Sequence, residues 1–169
     1  MKSDFECFIK TKDSLEFAKM CGASKDDLRP TIETQKKNFS FAIIQEKAFC
    51  FAIVRNEDNK YIGSLRLYKI NEIDKNAYLT IGLIEEFFSK GYGSEAIQCL
   101  LTFAFGKLQL HKVSLVVLDF NSRGIKCYEN CGFREDGILR DNVLIDGCYK
   151  SEILISILES EFTDLVQYG

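Results

Sequence analysis

The sequence predicts a mixed α/β fold, a twisted central sheet of six to seven strands with helices on both faces. Three observations point there. Short apolar strands alternate with helical periodicities in the second half of the chain, a glycine turn joins one of those strands to the longest helical pattern, and the chain closes on a β-hairpin. With 169 residues, one proline and no Gly/Ser-rich or Pro-rich stretch, residues 1–169 read as one domain without a linker.

The elements follow in order. Residues 5–10 suit a first strand, and Asp13 can cap a helix running to about Cys21. Pro30, followed by Thr31 and Glu33, starts a second helix reaching Phe41, since proline's fixed φ suits a first helical position. Residues 48–55, the polar turn Asn56-Glu57-Asp58-Asn59 and residues 61–68 form a hairpin. Residues 77–84 place Ala77, Leu79, Ile81 and Leu83 on one strand face and Tyr78, Thr80, Gly82 and Ile84 on the other, which predicts a strand covered on both faces. After residues 85–90 comes Gly91-Tyr92-Gly93-Ser94, and then Ala96, Ile97, Leu100, Leu101, Ala104, Phe105 and Leu108 recur at helical spacing. Residues 113–118 are another strand, Asn121 or Ser122 opens a short helix to Asn130, and Gly132-Phe133 ends it. Residues 138–145, the turn Asp146-Gly147 and residues 149–158 are the closing hairpin.

Composition excludes several functions. The longest apolar run, residues 48–54, is far short of the roughly 18 residues of a membrane span. The first ten residues mix Lys2, Asp4, Glu6 and Lys10 among apolar positions, so no secretory signal is expected and the expected address is the cytoplasm. Residues 1–60 carry 11 basic and 10 acidic side chains and the remainder 11 and 15, so neither half is the basic stripe that nucleic acid requires. The acidic second half suits a cationic small substrate. Seven scattered cysteines read as reduced thiols. Cys127 and Cys131, four apart, share a helix face, but no second Cys or His cluster completes a metal shell, so no metal is expected.

The chemistry concentrates at the glycine turn. Two glycines one residue apart at a helix start let backbone N–H groups converge on an anion, and the helix dipole adds partial positive charge. Lys90 beside them can add a full charge. The spelling Gly91-Tyr92-Gly93-Ser94-Glu95-Ala96 also fits a dinucleotide fingerprint, with Asp119 as its ribose acid. Two features argue against that reading. Residues 85–90 intervene before the first glycine, and only about 50 residues follow Asp119, too few for the second βαβ half.

Three ordered stretches carry a family resemblance: Ser89-Lys90-Gly91-Tyr92-Gly93-Ser94-Glu95-Ala96, then Leu110-His111-Lys112-Val113, then the run from Asn121 through Arg123, Lys126, Cys127, Tyr128 and Cys131 to Phe133. In these, residues 51–162 resemble the GNAT superfamily of acyl-CoA-dependent N-acyltransferases, in its branch of ribosomal-protein N-terminal (RimJ/RimL-like) and spermidine acetyltransferases. The resemblance implies a sheet whose fourth and fifth strands, residues 77–84 and 113–118, splay apart to admit the pantetheine of acetyl-CoA. It implies a pyrophosphate loop over Phe88, Ser89, Lys90, Gly91, Tyr92, Gly93 and Ser94, with the main chain of Ile81, Gly82 and Leu83 pairing with pantetheine. Asn121 and the first turns of the next helix, including Lys126, would close the other side. Residues 1–50 would build the acceptor side.

The resemblance also implies a mechanism, an acetyl group passing to a primary amine by direct attack in a ternary complex. Tyr128 matches the family's general acid, and a main-chain N–H near Leu83 would polarise the carbonyl. The acceptor would be a peptide N-terminus, a polyamine or an antibiotic amine, and the protein a monomer or homodimer. The sequence departs from the pattern at Phe88, where the family has Gln or Arg, and at Tyr78 and Thr80, where this branch has Glu and Gly. Glu85, Glu86 and Asp119 are the remaining candidates for a base, and His111 reads as structural. These departures keep a second reading open, a catalytically weak CoA-binding sensor or interaction module.

Overall fold

The computed structural model describes residues 48–168. Six strands form one sheet: β1 (Phe49–Arg55), β2 (Lys60–Asn71), β3 (Asn76–Leu83), β4 (Lys112–Leu118), β5 (Arg134–Ile145) and β6 (Cys148–Leu158). Three helices accompany them: α1 (Tyr92–Thr102), α2 (Ser122–Asn130) and α3 (Glu159–Tyr168). The order across the sheet is β1-β2-β3-β4-β6-β5, antiparallel everywhere except between β3 and β4. The mixed six-strand sheet is the predicted architecture. The first strand and the two early helices expected from the sequence lie outside the described residues.

Strand parity builds the core. Leu65, Leu67, Ala77, Leu79, Val113, Leu115, Val117, Ile155 and Ile157 share one face of the sheet through their register, and all are buried in one cluster. Onto that face α1 lowers Ile97, Leu100 and Leu101, while α2 adds Ile125, Cys127 and Tyr128 and α3 adds Phe162. The three described helices therefore share one face. On the other, Thr80 of β3 is exposed, so coverage of both faces of that strand is not complete. Its pairing with β4 ends at Tyr78 and Ser114, so its far half is held by β2 alone.

The long helical pattern does not stay α-helical to Leu108. It widens after Thr102 into a π turn, Phe103–Lys107, closed by Leu108 N–H on the Phe103 carbonyl at 3.1 Å. The extra residue turns Phe103 outward onto Phe49 and Phe51, with ring centroids at 5.2 and 5.6 Å, and keeps Ala104 and Phe105 buried. Phe105 in turn meets Phe162 of α3 at 5.5 Å. At the closing hairpin Asp146 and Gly147 take φ of 48° and 77°, the two left-handed residues of a type I′ turn.

One polar cluster sits on the sheet's second face. Buried Ser156 donates to Asp136 Oδ1 at 2.9 Å, and Lys112 Nζ donates to its Oδ2 at 2.6 Å. The Lys112 hydrogen bond, helped by Ser156, lowers the Asp136 pKa below the usual carboxylate value. A lowered native pKa contributes stability that is present above the unfolded value near 4 and disappears as pH falls through the native one. Both partners are about one-third exposed, which discounts the pair. Asp136→Asn is expected to cost about 0.5–1 kcal/mol at pH 7 in urea unfolding, with the difference from the parent shrinking below pH 4.

Candidate active site

The β3–β4 pairing is short. Only Asn76↔Lys112, Ala77↔Val113 and Tyr78↔Ser114 are joined, and beyond them the strands part. Register decides which main-chain groups face the opening. Ile84 N–H donates to the Ile62 carbonyl at 2.8 Å, and Leu83 lies opposite Gly63. Alternate residues of an antiparallel pair turn toward the partner, so Gly82 faces β2 while Ile81 and Leu83 present N–H and C=O to the gap. Of the three residues expected to pair with pantetheine, two are oriented for it. Gly82 is the exception, since its main chain belongs to the β2 ladder.

A single 3-10 turn, Glu85–Phe87, carries the chain from β3 to the loop and buries Phe87. Phe88 N–H is spent on the Glu85 carbonyl at 3.0 Å. Ser89 and Gly91 both take positive φ, 58° and 87°, which folds the loop back into the first turn of α1. Glu95 N–H, on the Gly91 carbonyl at 3.1 Å, is the first taken into the helix, so those of Tyr92, Gly93 and Ser94 precede the ladder. A Cβ on Gly93 would meet Cys127 Sγ at 3.4 Å and Leu83 Cδ1 at 3.6 Å. Gly93 therefore sits where the loop, β3 and α2 converge. Bare N–H groups, a helix N-terminus and an opened strand edge make an elongated site for a pyrophosphate with a peptide-like arm, which suits acyl-CoA.

On the far side Asn121 is the N-cap of α2, accepting from Gly124 N–H at 3.0 Å. Tyr128 is half-buried one residue beyond Cys127, its ring edge-on to Phe133 at 6.0 Å. Lys126 lies on the exposed side of α2 and Lys90 is exposed on the loop, 5.6 Å from the Phe87 ring. The cation that meets the loop is one the sequence reading passed over. The Arg123 guanidinium stacks on Phe88 at 3.8 Å from the ring centroid. Phe88 thus holds a cation of the neighbouring helix against the loop. Arg123→Ala is expected to weaken acetyl-CoA binding about fivefold in calorimetry. Phe88→Ala should act in the same direction, and the pair should lose less than the product because one residue positions the other.

The candidate bases separate. Glu86 accepts from Lys60 Nζ at 2.6 Å, which lowers its pKa and makes it a weaker proton acceptor. Glu85 and Asp119 are exposed just beyond the ends of β3 and β4. His111 is at the opposite end of β4, about 20 Å of strand away from the loop. Its main chain ties Lys75 to Glu159, accepting at 3.0 Å and donating at 2.6 Å. Among the described residues no group of three or more His, Cys, Asp or Glu could hold a metal. A groove of about 590 Å³ between β1 and α1, lined by Phe51, Arg55, Cys99 and Phe103 among others, shares only Tyr92 with the loop. No described helix is long and apolar enough to cross a membrane.

A parallel strand pair opened at one end, with a glycine loop and helix N-terminus at its mouth, defines the acyl-CoA-dependent acetyltransferase class. The acetyltransferase (GNAT) domain model matches residues 3–134, and the chain belongs to that family. A spermidine N(1)-acetyltransferase of Vibrio cholerae is 33% identical over 110 residues, 65% of this chain and 64% of the relative. The chain thus matches a little under two thirds of that protein's length. A putative ribosomal N-acetyltransferase of Bacillus subtilis, YdaF, is 27% identical over 62% of this chain and 57% of its own. In fold, a crystal structure of spermidine N-acetyltransferase from Vibrio cholerae in complex with CoA and spermine superposes with a TM-score of 0.87. It is 23% identical and covers 96% of this chain and 94% of its own. The family is an N-acetyltransferase family whose donor is acetyl-CoA.

Proposed function

We propose that this chain is a cytoplasmic acetyl-CoA-dependent N-acetyltransferase that acetylates a small cationic primary amine, with polyamines of the spermidine type first among acceptors. The carrying observation is the β3–β4 opening with the Gly91–Ser94 loop at its mouth, and the names of the relatives support the acceptor class. Acetyl-CoA supplies the acetyl thioester when bound. Gly91, Gly93 and Ser94 hold the pyrophosphate by N–H groups, and Ile81 and Leu83 hold the arm as an added strand would. The Leu83 N–H is oriented to donate to the developing oxyanion, a role that costs no reorganisation because β3 is fixed by β2. Tyr128 gives its proton to the departing sulfur.

The acceptor must lose a proton. At pH 7 an α-amino group with pKa 7.7–8.0 is roughly 10–17% neutral, whereas a polyamine nitrogen near 10.4 is under about 0.1% neutral. A polyamine therefore needs a carboxylate within reach through water, and Glu85 and Asp119 remain the candidates. A free-thiol assay against polyamines, N-terminal peptides, aminoglycosides and amino acids tests the proposal. CoA release with spermidine, faster than with any peptide, is the expected result. Tight acetyl-CoA binding without CoA release from any amine would instead establish the binding-module reading that Tyr78 and Thr80 suggest.

A further inference from the structure

Beside the loop lies a thiol pair that the transfer reaction does not use. Cys127 Sγ is 3.4 Å from Ser94 Oγ, and Cys131 Sγ donates to the Ser94 carbonyl at 3.7 Å. Both sulfurs thus hold Ser94, whose N–H is among the last before the α1 ladder begins. Cys131 is buried and Cys127 is half-buried. When Cys127 ionises, the Cys131 S–H turns to it from the Ser94 carbonyl, and that bond, with a lesser one from the Ser94 hydroxyl, outweighs burial and brings the Cys127 pKa down to about 6, while Cys131 is pushed up. A thiolate at neutral pH is the reactive form of cysteine.

We propose that Cys127 and Cys131 are a redox modification site, oxidised by hydroperoxides to a disulfide across the C-terminal end of α2 that loosens the pyrophosphate loop. The Cys127 thiolate attacks the O–O bond, takes one oxygen as sulfenic acid and releases hydroxide or alkoxide. The Cys131 sulfur then attacks the Cys127 sulfur, the S–S bond forms and water leaves. Two thiols and one peroxide become one disulfide and two molecules of water, or water and an alcohol. Four residues of helix rise about 6 Å, inside the Cα span of about 4.4–6.8 Å that disulfides bridge. Cβ atoms so spaced are about 5–6 Å apart and must close to about 3.5–4.5 Å. Cys131 is the C-cap of α2, and unwinding that last turn closes the gap. Once joined, Cys131 has no S–H for the Ser94 carbonyl and Cys127 no thiolate for the Ser94 hydroxyl, so both ties on the loop's last residue are gone.

This inference rests on the loop holding acetyl-CoA, and the test separates the two. The whole protein is treated with hydrogen peroxide at pH 7, free thiols are alkylated, and trypsin cuts after Lys126 and Arg134, leaving both sulfurs in the peptide 127–134. That peptide is expected to lose two hydrogens before exposed Cys50, Cys99 or Cys148 reacts. Acetyl-CoA affinity should fall about tenfold and return with dithiothreitol. Cys127→Ser should bind acetyl-CoA equally with and without peroxide, and Cys131→Ser should stop at a sulfenic acid that dimedone traps. Oxidation of the exposed cysteines first, or a disulfide-bonded protein with unchanged affinity, overturns the proposal. Failure of the untreated protein to bind acetyl-CoA overturns the effect on affinity and the cofactor reading with it, while the peptide mass still decides whether the disulfide forms.

Discussion

Gly93→Asp is expected to weaken acetyl-CoA binding about a hundredfold in calorimetry while the protein stays folded. Gly93 is the second residue of α1 and its N–H lies outside the helical ladder. A carboxylate in the first turn of a helix is favourable to the helix itself, since it faces the positive end of the dipole. The same carboxylate occupies the ground that the pyrophosphate needs. Two unit charges about 5 Å apart at an effective dielectric near 20 repel by about 3 kcal/mol, which is about two decades in Kd. Crowding is a separate effect, because a Cβ would sit 3.4 Å from Cys127 Sγ and that thiol must give a little. Gly93→Ala measures this crowding alone and should lose under about tenfold. Gly91→Asp combines the charge with backbone strain, φ at this position being 87°, and should lose stability as well as affinity. Equal affinity for the parent, the Ala and the Asp variants would remove the loop from cofactor binding.

The loop was legible because its signal is local. Two glycines, the strand before them and the helical repeat after them lie within one stretch of chain, and each has a backbone reason that the structure displays. The strand opening was legible only through the family resemblance, since nothing in residues 77–84 or 113–118 says that pairing stops after Tyr78 and Ser114. The same limit explains Gly82, whose main chain faces β2. Parity is set by the partner strand, and a sequence does not state its register. Arg123 was invisible for a related reason. Its value lies in stacking on Phe88, 35 positions earlier, and only packing brings α2 against the loop. A signal existed, in that an aromatic where a cation is usual invites a search for the cation elsewhere. The π turn after Thr102 has no spelling of its own, because the apolar repeat from Ala96 to Leu108 fits a continuous helix well. Cys127 and Cys131 read in the sequence only as reduced thiols without a metal. Their shared helix face was visible, but Ser94, which joins them, is more than thirty residues away.

Tyr128→Phe is expected to lower kcat about a hundredfold while changing acetyl-CoA affinity less than about twofold. The ring has a packing role, edge-on to Phe133 at 6.0 Å and against the core cluster with Ile125, and phenylalanine keeps both contacts. In urea unfolding the variant shows any change in stability separately from the change in turnover. What it removes is one hydroxyl, and the size of the loss follows from the leaving group. A thiol of pKa near 8.5 leaves tolerably well as the thiolate, whereas a phenol near 10 is a weak acid at pH 7, so proton donation should contribute at the lower end of the usual 10²–10⁴-fold range. An effect confined to kcat places the hydroxyl in the transition state, since uniform binding would move KM instead. Tyr128→Ala separates packing from chemistry, because it also empties the space beside Phe133 and should lower both the urea midpoint and the cofactor affinity. Turnover within twofold of the parent in the Phe variant would exclude Tyr128 as the acid and leave the thiolate to depart unassisted, with the Leu83 N–H as the main source of transition-state stabilisation.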